Sequence, residues 1–347
     1  MFLRNYWYAA AWSSEITHDL LGRILLNEPV VFFRTRSGPI AAIQDRCPHR
    51  GFPLSRGRLV DDSLECGYHG MTFDCAGRCV RIPGQAKIPA AAHLRTYPVV
   101  ERHGFAWIWM GDPARADAAA IFDAHLLDDP AWDARGERLH VDCDYRLIID
   151  NLLDLGHIAF VHPHTLGSSA RLDEVEVKNT ITETSVINER WLTDIAPPPT
   201  YARGNFRGNV DRWQITNFEP PACLSLHAGA AAAGSGGPCS SRKIGLHTFN
   251  ILTPETKKTT HYYWAIAQDR GQGGGLTDRI FQDVQKPVQE DLAVFTAHQR
   301  SLDRMPDAPM LPIKGDVALL AVRSILDRLL RLESLGDLRK QAAGNRP

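Results

Sequence analysis

The chain has 347 residues, 44% of them hydrophobic and 23% charged, which suits a sizeable core in about two domains. Lys and Arg total 39 against 40 Asp and Glu, a formal net charge of −1. That balance argues against nucleic-acid binding, which needs excess positive charge. No apolar run approaches the ~18–20 residues that span a bilayer, and the N-terminus lacks the long apolar region of a secretion signal. We expect a soluble, cytoplasmic protein that binds neither nucleic acid nor membrane.

The first third of the chain has the pattern of short strands separated by glycine and proline. The predicted strands cover 23–26, 30–34, 40–44, 96–100 and 105–110. This spacing predicts a small antiparallel β domain over residues 1–112. The stretch that follows is rich in Ala, Asp and Pro, and we interpret 113–138 as a linker with a short helix.

Residues 139–347 are predicted to form a second domain of mixed α+β type. Its predicted elements, in chain order, are helical spacing around 152–158, strands 213–218 and 261–268, and helices 276–303 and 315–344. The Ala- and Gly-rich run 228–237 is interpreted as a flexible surface loop. The apolar stripe of the last helix favours packing or a subunit contact over a membrane helix.

Cysteine and histidine alternate in two short motifs of the first domain. Cys47 and His49 are separated by one residue, and Cys66 and His69 by two, each pair on a turn rich in Gly or Pro. Such a set fits a [2Fe–2S] cluster in which two Cys hold one iron and two His hold the other. A structural zinc site is the alternative, although zinc fingers usually pair like ligands. Cys75 could replace His69 as a ligand, but that would leave His69 without a role.

A second group of metal-binding residues lies at the start of the second domain. Asp154 and His157 are three residues apart and would share a helix face. His157 and His162 would diverge by about 140° on a regular helix, so the helix must end or bulge between them if both bind one metal. Two histidines and one carboxylate suit Fe(II) with open positions for dioxygen and substrate. His164 is a rival ligand.

The third metal ligand must come from the long helix predicted over 276–303. Its apolar stripe consists of Phe281, Val284, Val288 and Phe295. Asp291 falls on this stripe, where a carboxylate is costly unless it is paired or metal-bound, so we predict it as the ligand. The other acidic residues considered are Asp278, Asp283, Glu290 and Asp303, and Glu290 is expected to pair with Lys286 on the exposed side.

These motifs resemble those of the Rieske non-haem iron oxygenases. The resemblance is carried by CPHRG, CGYHG, GFAWIWMGD, DNLLDLGHIAFVH and ILTPETKKTTHYYW, and it is strongest for the subgroup that includes vanillate O-demethylase and dicamba monooxygenase. It implies an all-β Rieske [2Fe–2S] domain followed by a helix-grip (START-like) α+β catalytic domain. It also implies a homotrimer in which the cluster of one subunit faces the iron of its neighbour, with Asn151 and Asp154 as catalytic residues. Asp154 would bridge a metal-bound histidine and a cluster histidine.

The resemblance implies a terminal oxygenase that uses O₂ to hydroxylate a methyl or methoxy group of an aromatic compound, with O-demethylation favoured. No glycine-rich dinucleotide fingerprint follows a strand, so electrons would come from an NAD(P)H-dependent flavin/iron–sulfur reductase, or a ferredoxin with its reductase. The alternatives are ring cis-dihydroxylation, a non-catalytic electron carrier, and a zinc-stabilised binding module. The candidate substrate-binding residues are Asn250, His247, Arg212 and Trp213. Neutral Asn250 does not by itself indicate a charged substrate.

Overall fold

The computed structural model describes residues 1–166, 175–198, 201, 206–240, 243–272 and 275–344. The chain forms two compact units. One comprises residues 2–123 with 253–257, and the other comprises 124–252 with the chain after 257. The first is built of strands and short 3₁₀ turns, and the second combines strands with helices, so the predicted α+β class is confirmed.

The first unit contains three small antiparallel sheets among its described residues. Its strands are β1 Trp7–Trp12, β2 Leu21–Leu25, β3 Glu28–Arg34, β4 Ile40–Gln44, β5 Arg58–Val60, β6 Ser63–Glu65, β7 Thr72–Phe73, β8 Cys79–Arg81, β9 Val99–Arg102 and β10 Phe105–Trp109. They are ordered β1-β10-β9, β2-β3-β4 and β5-β6-β7-β8. Side chains of β3 alternate between two cores, with Val30 and Phe32 in one and Val31 and Phe33 in the other. Strand β3 is therefore buried on both faces.

The second unit is organised around one antiparallel sheet, with seven strands among the described residues. They are β11 Trp132–Val141, β12 Glu176–Ile181, β13 Val186–Ile195, β14 Val210–Glu219, β15 Cys223–Ala232, β16 Lys243–Pro254 and β17 Thr260–Asp269. Their order in the sheet is β11-β17-β16-β15-β14-β13-β12. Each strand from β12 to β15 pairs antiparallel with the next strand in the chain, up to β16. Directly opposite residues of these strands therefore lie on the same face of the sheet.

Helices in the described part of the second unit are α1 Tyr145–Leu153, α2 Ile158–Val161, α3 Leu276–Arg304 and α4 Val317–Gly344. Asp144 caps α1, because its side chain accepts a hydrogen bond from the main-chain N of Arg146. Asp150 of α1 pairs with Arg323 of α4, with 3.1 Å between its Oδ1 and the arginine Nε, and this ion pair holds the two helices together. Among the described residues, none of the helices has the length and apolarity to cross a bilayer.

Two local predictions were wrong. The Ala- and Gly-rich run begins inside β15, where a Cβ on Gly229 would lie 2.2 Å from the ring of Trp213, so the small residues make room for this tryptophan. The stretch interpreted as a linker contains most of β11, whose charged sequence suits its place at the edge of the sheet.

Candidate functional site

The two Cys–His motifs form turns of the same geometry. The main-chain N of Gly51 donates to O of Cys47 at 2.9 Å, and the N of Gly70 donates to O of Cys66 at 3.0 Å. Both glycines have a positive φ, of 71° and 72°, which glycine adopts without the steric cost of a Cβ. The loops therefore present their ligands in matching orientations.

The side chains of these turns fit a [2Fe–2S] cluster with mixed ligands. Cys47 and Cys66 are both 2% exposed, whereas His49 and His69 are exposed and their ring centroids lie 4.6 Å apart. Burial raises the pKa of the Cys47 thiol, and the adjacent Cys66 thiol adds to this. An apolar pocket holding two thiols, with two imidazoles at its rim, suits a cluster whose charge is shared between inner sulfur and outer nitrogen ligands.

Cys75, the rival ligand, and Cys79 are directed elsewhere. The Sγ atom of Cys75 donates to O of Asp62 at 3.2 Å, and the Sγ atom of Cys79 donates to O of Arg81 at 3.5 Å. Burial raises the pKa of both thiols, as expected for uncharged side chains.

The helix that carries the second motif is interrupted, and this interruption brings its histidines together. Helix α1 ends at Leu153, a 3₁₀ turn spans Leu155–His157, and the short helix α2 ends before His162. The expected end of the helix before His162 is thus present. Asp154 is not on a helix face as predicted: it has φ −101° and ψ 79°, and its side chain accepts a hydrogen bond from N of Gly156. The break turns both imidazoles towards α3.

His157, His162 and Asp291 offer one ligand atom each, and the three atoms lie within 4.8 Å of one another. The Asp291 Oδ1 atom is 3.1 Å from Nε2 of His162 and 3.6 Å from Nε2 of His157. Asp291 lies on the inner stripe of α3, as predicted. Two imidazoles and one carboxylate on one side are a donor set that fits Fe(II) and leaves coordination positions open.

The other candidate ligands lie outside this group. His164 is exposed, and Asp283 is exposed on the far side of α3. Asp278 pairs with Arg135 at 2.6 Å, and Asp303 pairs with Lys258 at 3.0 Å.

Three further groups orient the proposed ligands. Asn151 donates from Nδ2 to Oδ1 of Asp291 at 3.1 Å, while its buried Oδ1 has no hydrogen-bond partner among the described residues. The main-chain O of Asp154 accepts from Nδ1 of His157. Glu290 does not pair with Lys286 as predicted, because its Oε2 lies 2.7 Å from Nδ1 of His162. With each Nδ1–H used in this way, both Nε2 atoms keep a lone pair for a metal.

The two histidines are perturbed in opposite directions. Burial lowers the pKa of His157, although Asp291 partly opposes the shift. Burial would also lower the pKa of His162, but its hydrogen bonds to Asp291 and Glu290 outweigh burial and raise it. Burial therefore favours the neutral ring of His157, which is the form that binds a metal, while the two carboxylates make the surroundings of His162 favourable for a positive charge.

Replacing Glu290 by alanine should weaken iron binding about 10- to 100-fold, because the His162 ring loses the acceptor that orients it. Glu290→Gln should restore most of the affinity, since the amide oxygen can accept the same hydrogen bond. Iron affinity is measured by competition with a chromogenic chelator. Gln289→Ala, an exposed change on the same helix, is the control, and equal affinity in the Glu290→Ala and control variants would contradict the assignment.

A cavity of about 140 Å³ opens beside the proposed metal ligands. One wall is the inner stripe of α3, with Ile280, Val284, Pro287 and Val288 at helical spacing before Asp291. The opposite wall is the inner face of the large sheet, whose lining residues alternate along each strand. The lining residues on this face are Arg212, Gln214, Leu226, Ala228, Leu246, Thr248, Asn250, Tyr262 and Trp264.

Asn250 lines this cavity, and His247 does not. The Oδ1 atom of Asn250 accepts from the Tyr262 hydroxyl at 2.6 Å, and its Nδ2 lies 3.4 Å from Oγ1 of Thr248. His247 is three residues earlier in the same strand and therefore points to the other face of the sheet. There it stacks on His227 with ring centroids 4.3 Å apart. Trp213 shares that outer face and contacts His227, so Asn250 and Arg212 are the sequence candidates that reach the cavity.

His247 should instead contribute a pH-dependent part of the stability. Its pKa is lowered to about 4 by burial and by the nearby positive charges of His227, His125 and Lys243, against about 6.5 in an unfolded chain. The stabilising contribution of the neutral ring is complete above about pH 6.5 and is lost as the pH falls towards 4, at up to about 1.4 kcal/mol per pH unit. Thermal unfolding should show a smaller loss of Tm over this window in His247→Phe than in the parent. The exposed His164→Phe is the control, and equal losses in both variants would contradict this role.

Comparison with known proteins defines the class. The Rieske [2Fe-2S] domain profile matches residues 6–98, and that of the vanillate O-demethylase oxygenase C-terminal domain matches 141–332. The chain is 42% identical to the toluene-4-sulfonate monooxygenase system iron-sulfur subunit of Comamonas testosteroni, over 97% of this chain and 99% of that protein. It is 38% identical to a vanillate O-demethylase oxygenase subunit of Pseudomonas sp., over 96% of each. A crystal structure of dicamba monooxygenase with non-haem iron and dicamba superposes with a TM-score of 0.82 at 32% identity, covering 96% of this chain and 99% of that one.

The protein is thus the oxygenase component of a Rieske-type monooxygenase system. The chain belongs to the vanillate O-demethylase family of Rieske non-haem iron oxygenases. Its cofactors are a Rieske [2Fe–2S] cluster and a mononuclear non-haem iron ion, as predicted. The donor sets described above fit both groups.

Proposed function

We propose that this oxygenase hydroxylates a methyl or methoxy substituent of an aromatic compound, and that a methoxy group is removed as formaldehyde. Three relatives are named for aromatic substrates: toluene-4-sulfonate, vanillate and dicamba. The observation that carries the proposal is the opening of His157, His162 and Asp291 onto a cavity with mainly apolar walls. An aromatic ring fits such walls, and its substituent would lie beside the open side of the ligand group.

The side chains of this chain would hold the cofactors and the substrate. Cys47, Cys66, His49 and His69 would bind the cluster, and His157, His162 and Asp291 would bind the iron ion. When bound, these groups supply single electrons and activate dioxygen. Asn151, Glu290 and the carbonyl of Asp154 fix the orientation of the ligands, and the stripe of α3 excludes water from the substrate.

The reaction balances with O₂, two electrons and two protons. One oxygen atom enters a C–H bond of the methoxy group, and the other leaves as water. The resulting hemiacetal breaks its C–O bond to give a phenol and formaldehyde. The electrons come from a separate reductase, since the relatives are oxygenase components of multicomponent systems.

Turnover of a panel of methoxylated and methylated aromatics, with a generic reductase, NADH and ¹⁸O₂, tests the proposal. The expected products are formaldehyde with a phenol from methoxy compounds, and a benzylic alcohol carrying one ¹⁸O from methyl compounds. A dihydrodiol carrying two ¹⁸O atoms would replace the proposal by ring dihydroxylation. A cluster that is reduced without any O₂-dependent product would indicate an electron carrier.

We also propose that the chain assembles as a homotrimer in which the cluster of one subunit lies against the iron site of the next. Asp154 and His157 line a second hollow, formed with residues of α1, α3 and α4. Leu311, which also lines this hollow, is 86% exposed, as expected of a surface that a second copy covers. Light scattering after size-exclusion chromatography should give three times the chain mass, and a monomer at assay concentration would contradict the assembly.

The exposed edge of the cluster site bears on where electrons enter and leave. His49 and His69 face a hollow on the surface of the first unit, and in the proposed trimer this hollow would lie against the iron site of the next subunit. We therefore propose that the reductase or ferredoxin docks on another face of the first unit. We further propose a cytoplasmic location, because none of the seven cysteines, all of which the structure describes, is in a disulfide, as suits a reducing compartment.

A further inference from the structure

Two arginines point from the large sheet towards the substrate cavity. Arg190 on β13 lies directly opposite Gln214 on β14, and Leu192 lies opposite Arg212. Directly opposite residues lie on the same face of a sheet. Because Gln214, which is opposite Arg190, lines the cavity together with Arg212, Arg190 also lies on the inner face. The two arginines are 6% and 5% exposed. The inner face of the sheet therefore carries two buried cations beside the cavity.

Their charges are poorly compensated. The Nη1 atom of Arg212 is 3.5 Å from O of Leu166, and its guanidinium lies over the ring of Tyr201 at 5.4 Å and hydrogen-bonds to that side chain. Its buried Nε has no hydrogen-bond partner in the part of the chain that the structure describes. Among the described residues, Arg190 makes one long hydrogen bond, of 3.4 Å, to Oε1 of Gln214. None of the ion pairs found among the described residues involves either guanidinium, although the Asp154 carboxylate acts on Arg190 through a weaker Coulombic attraction.

The two cations also repel one another. The pKa of Arg190 is lowered to about 10, first by burial and second by the positive charge of Arg212, with a smaller opposing effect of Asp154. Buried charges are costly unless they are paired, and a pair of like charges is costlier still. An anion placed between the cavity and these guanidiniums would relieve both the desolvation and the repulsion.

We propose that Arg212, supported by Arg190, binds an oxyanion group of the aromatic substrate, a carboxylate or a sulfonate. This rests on the proposed function only in placing the substrate in this cavity. A planar guanidinium presents parallel N–H donors that match two oxyanion oxygens, and the Nε–H of Arg212 has no partner among the described residues. Leu226, Ala228 and Leu246 surround the position of the ring, so the anion would be fixed at the arginine end while another substituent reaches the proposed iron ligands. Arg212 thus determines both which substrates bind and which of their substituents is oxidised.

The test is equilibrium binding to the oxidised holoenzyme without reductase, so that no turnover occurs. The probes are 4-methylbenzenesulfonate and 4-methoxybenzoate, each compared with its neutral amide, by isothermal titration calorimetry. Each anion should bind at least about tenfold more tightly than its amide, as expected for a charge-assisted hydrogen bond in a desolvated site. Arg212→Gln should remove this preference without weakening the amides, whereas the exposed Arg207→Gln should preserve it.

Each outcome decides the proposal. A preference for one anion over the other would support it and identify the oxyanion, while equal binding of anions and amides by the parent enzyme would overturn it. The comparison within the parent enzyme does not depend on whether Arg212→Gln folds, and Arg212→Lys keeps the charge if the glutamine variant is unstable. Failure of this proposal is distinguishable from failure of the proposed function. Neutral methoxyarenes could release formaldehyde without an anion preference, and anions could bind tightly without being oxidised.

Discussion

Replacing Asp291 by alanine should abolish O₂-dependent turnover and leave the absorption spectrum of the [2Fe–2S] cluster unchanged. The Asp291 carboxylate is the negatively charged member of a group whose other members, His157 and His162, are imidazoles. Without it, two neutral rings would have to hold a divalent ion, and iron occupancy should fall. A metal ion stabilises the transition state by several kcal/mol, so its loss should lower the rate by about a thousandfold or more. Product formation, iron content and cluster absorbance are measured on the same preparation.

The control for this change is Asp283→Ala, which removes an exposed carboxylate from the same helix. It should retain both iron and activity. Unchanged turnover in Asp291→Ala would exclude this residue from the iron site. Loss of the cluster spectrum together with activity would mean that the change had damaged the whole protein, and the assignment would not survive that result either.

The parts of the fold and site that could be predicted are those with local signals. The two Cys–His turns are short and contain the glycines that their backbone requires, so residue identity and spacing sufficed. Asp291 could be selected because a carboxylate on an apolar helical stripe needs a partner. The break in the helix before His162 was predicted because residues five apart on a regular helix diverge by about 140°, too far for both to bind one metal.

The errors at His247 and Arg190 have one cause, which is that a strand has two faces and the sequence does not say which one is inside. Asn250 and His247 both appeared plausible, but the period of two places them on opposite faces of β16. Arg190 was missed altogether, because polar and apolar residues alternate along β13 in a way that also fits an exposed outer face. Arg190 lies directly opposite Gln214 in the hairpin and therefore shares its face of the sheet, but this can be used only once the pairing register of the two strands is known.

Glu290 shows a different limit. Pairing with Lys286 on the helix surface was the simplest expectation from spacing along α3. The structure brings the His162 loop over that side of the helix, and the carboxylate hydrogen-bonds to the ring instead. A tertiary contact with a residue 128 positions away leaves no trace in local spacing.

Cys66→Ala should eliminate the cluster, whereas Cys75→Ala should retain it. The Cys66 side chain, 2% exposed, lies in the second turn and contacts the Cys47 thiol. The Cys75 thiol instead donates to a main-chain carbonyl outside the two turns. Because ligand binding and folding are coupled in such sites, Cys66→Ala should also lower the Tm of the first unit markedly. Acid-labile sulfide, visible absorbance and the paramagnetic signal after dithionite reduction measure the cluster. Equal loss of sulfide in both variants would contradict the ligand assignment.

His69→Cys tests the same assignment without relying on a lost cluster. A thiolate in place of a neutral imidazole adds negative charge to the cluster, and clusters with four thiolate ligands have reduction potentials several hundred millivolts below mixed-ligand ones. A variant that retains its cluster should therefore have a potential lower by at least about 100 mV, measured by redox titration. The matched change His93→Cys, in the same unit but outside the two turns, should leave the potential unaltered. A potential unchanged in His69→Cys would mean that the ring at this position is not a ligand of the cluster.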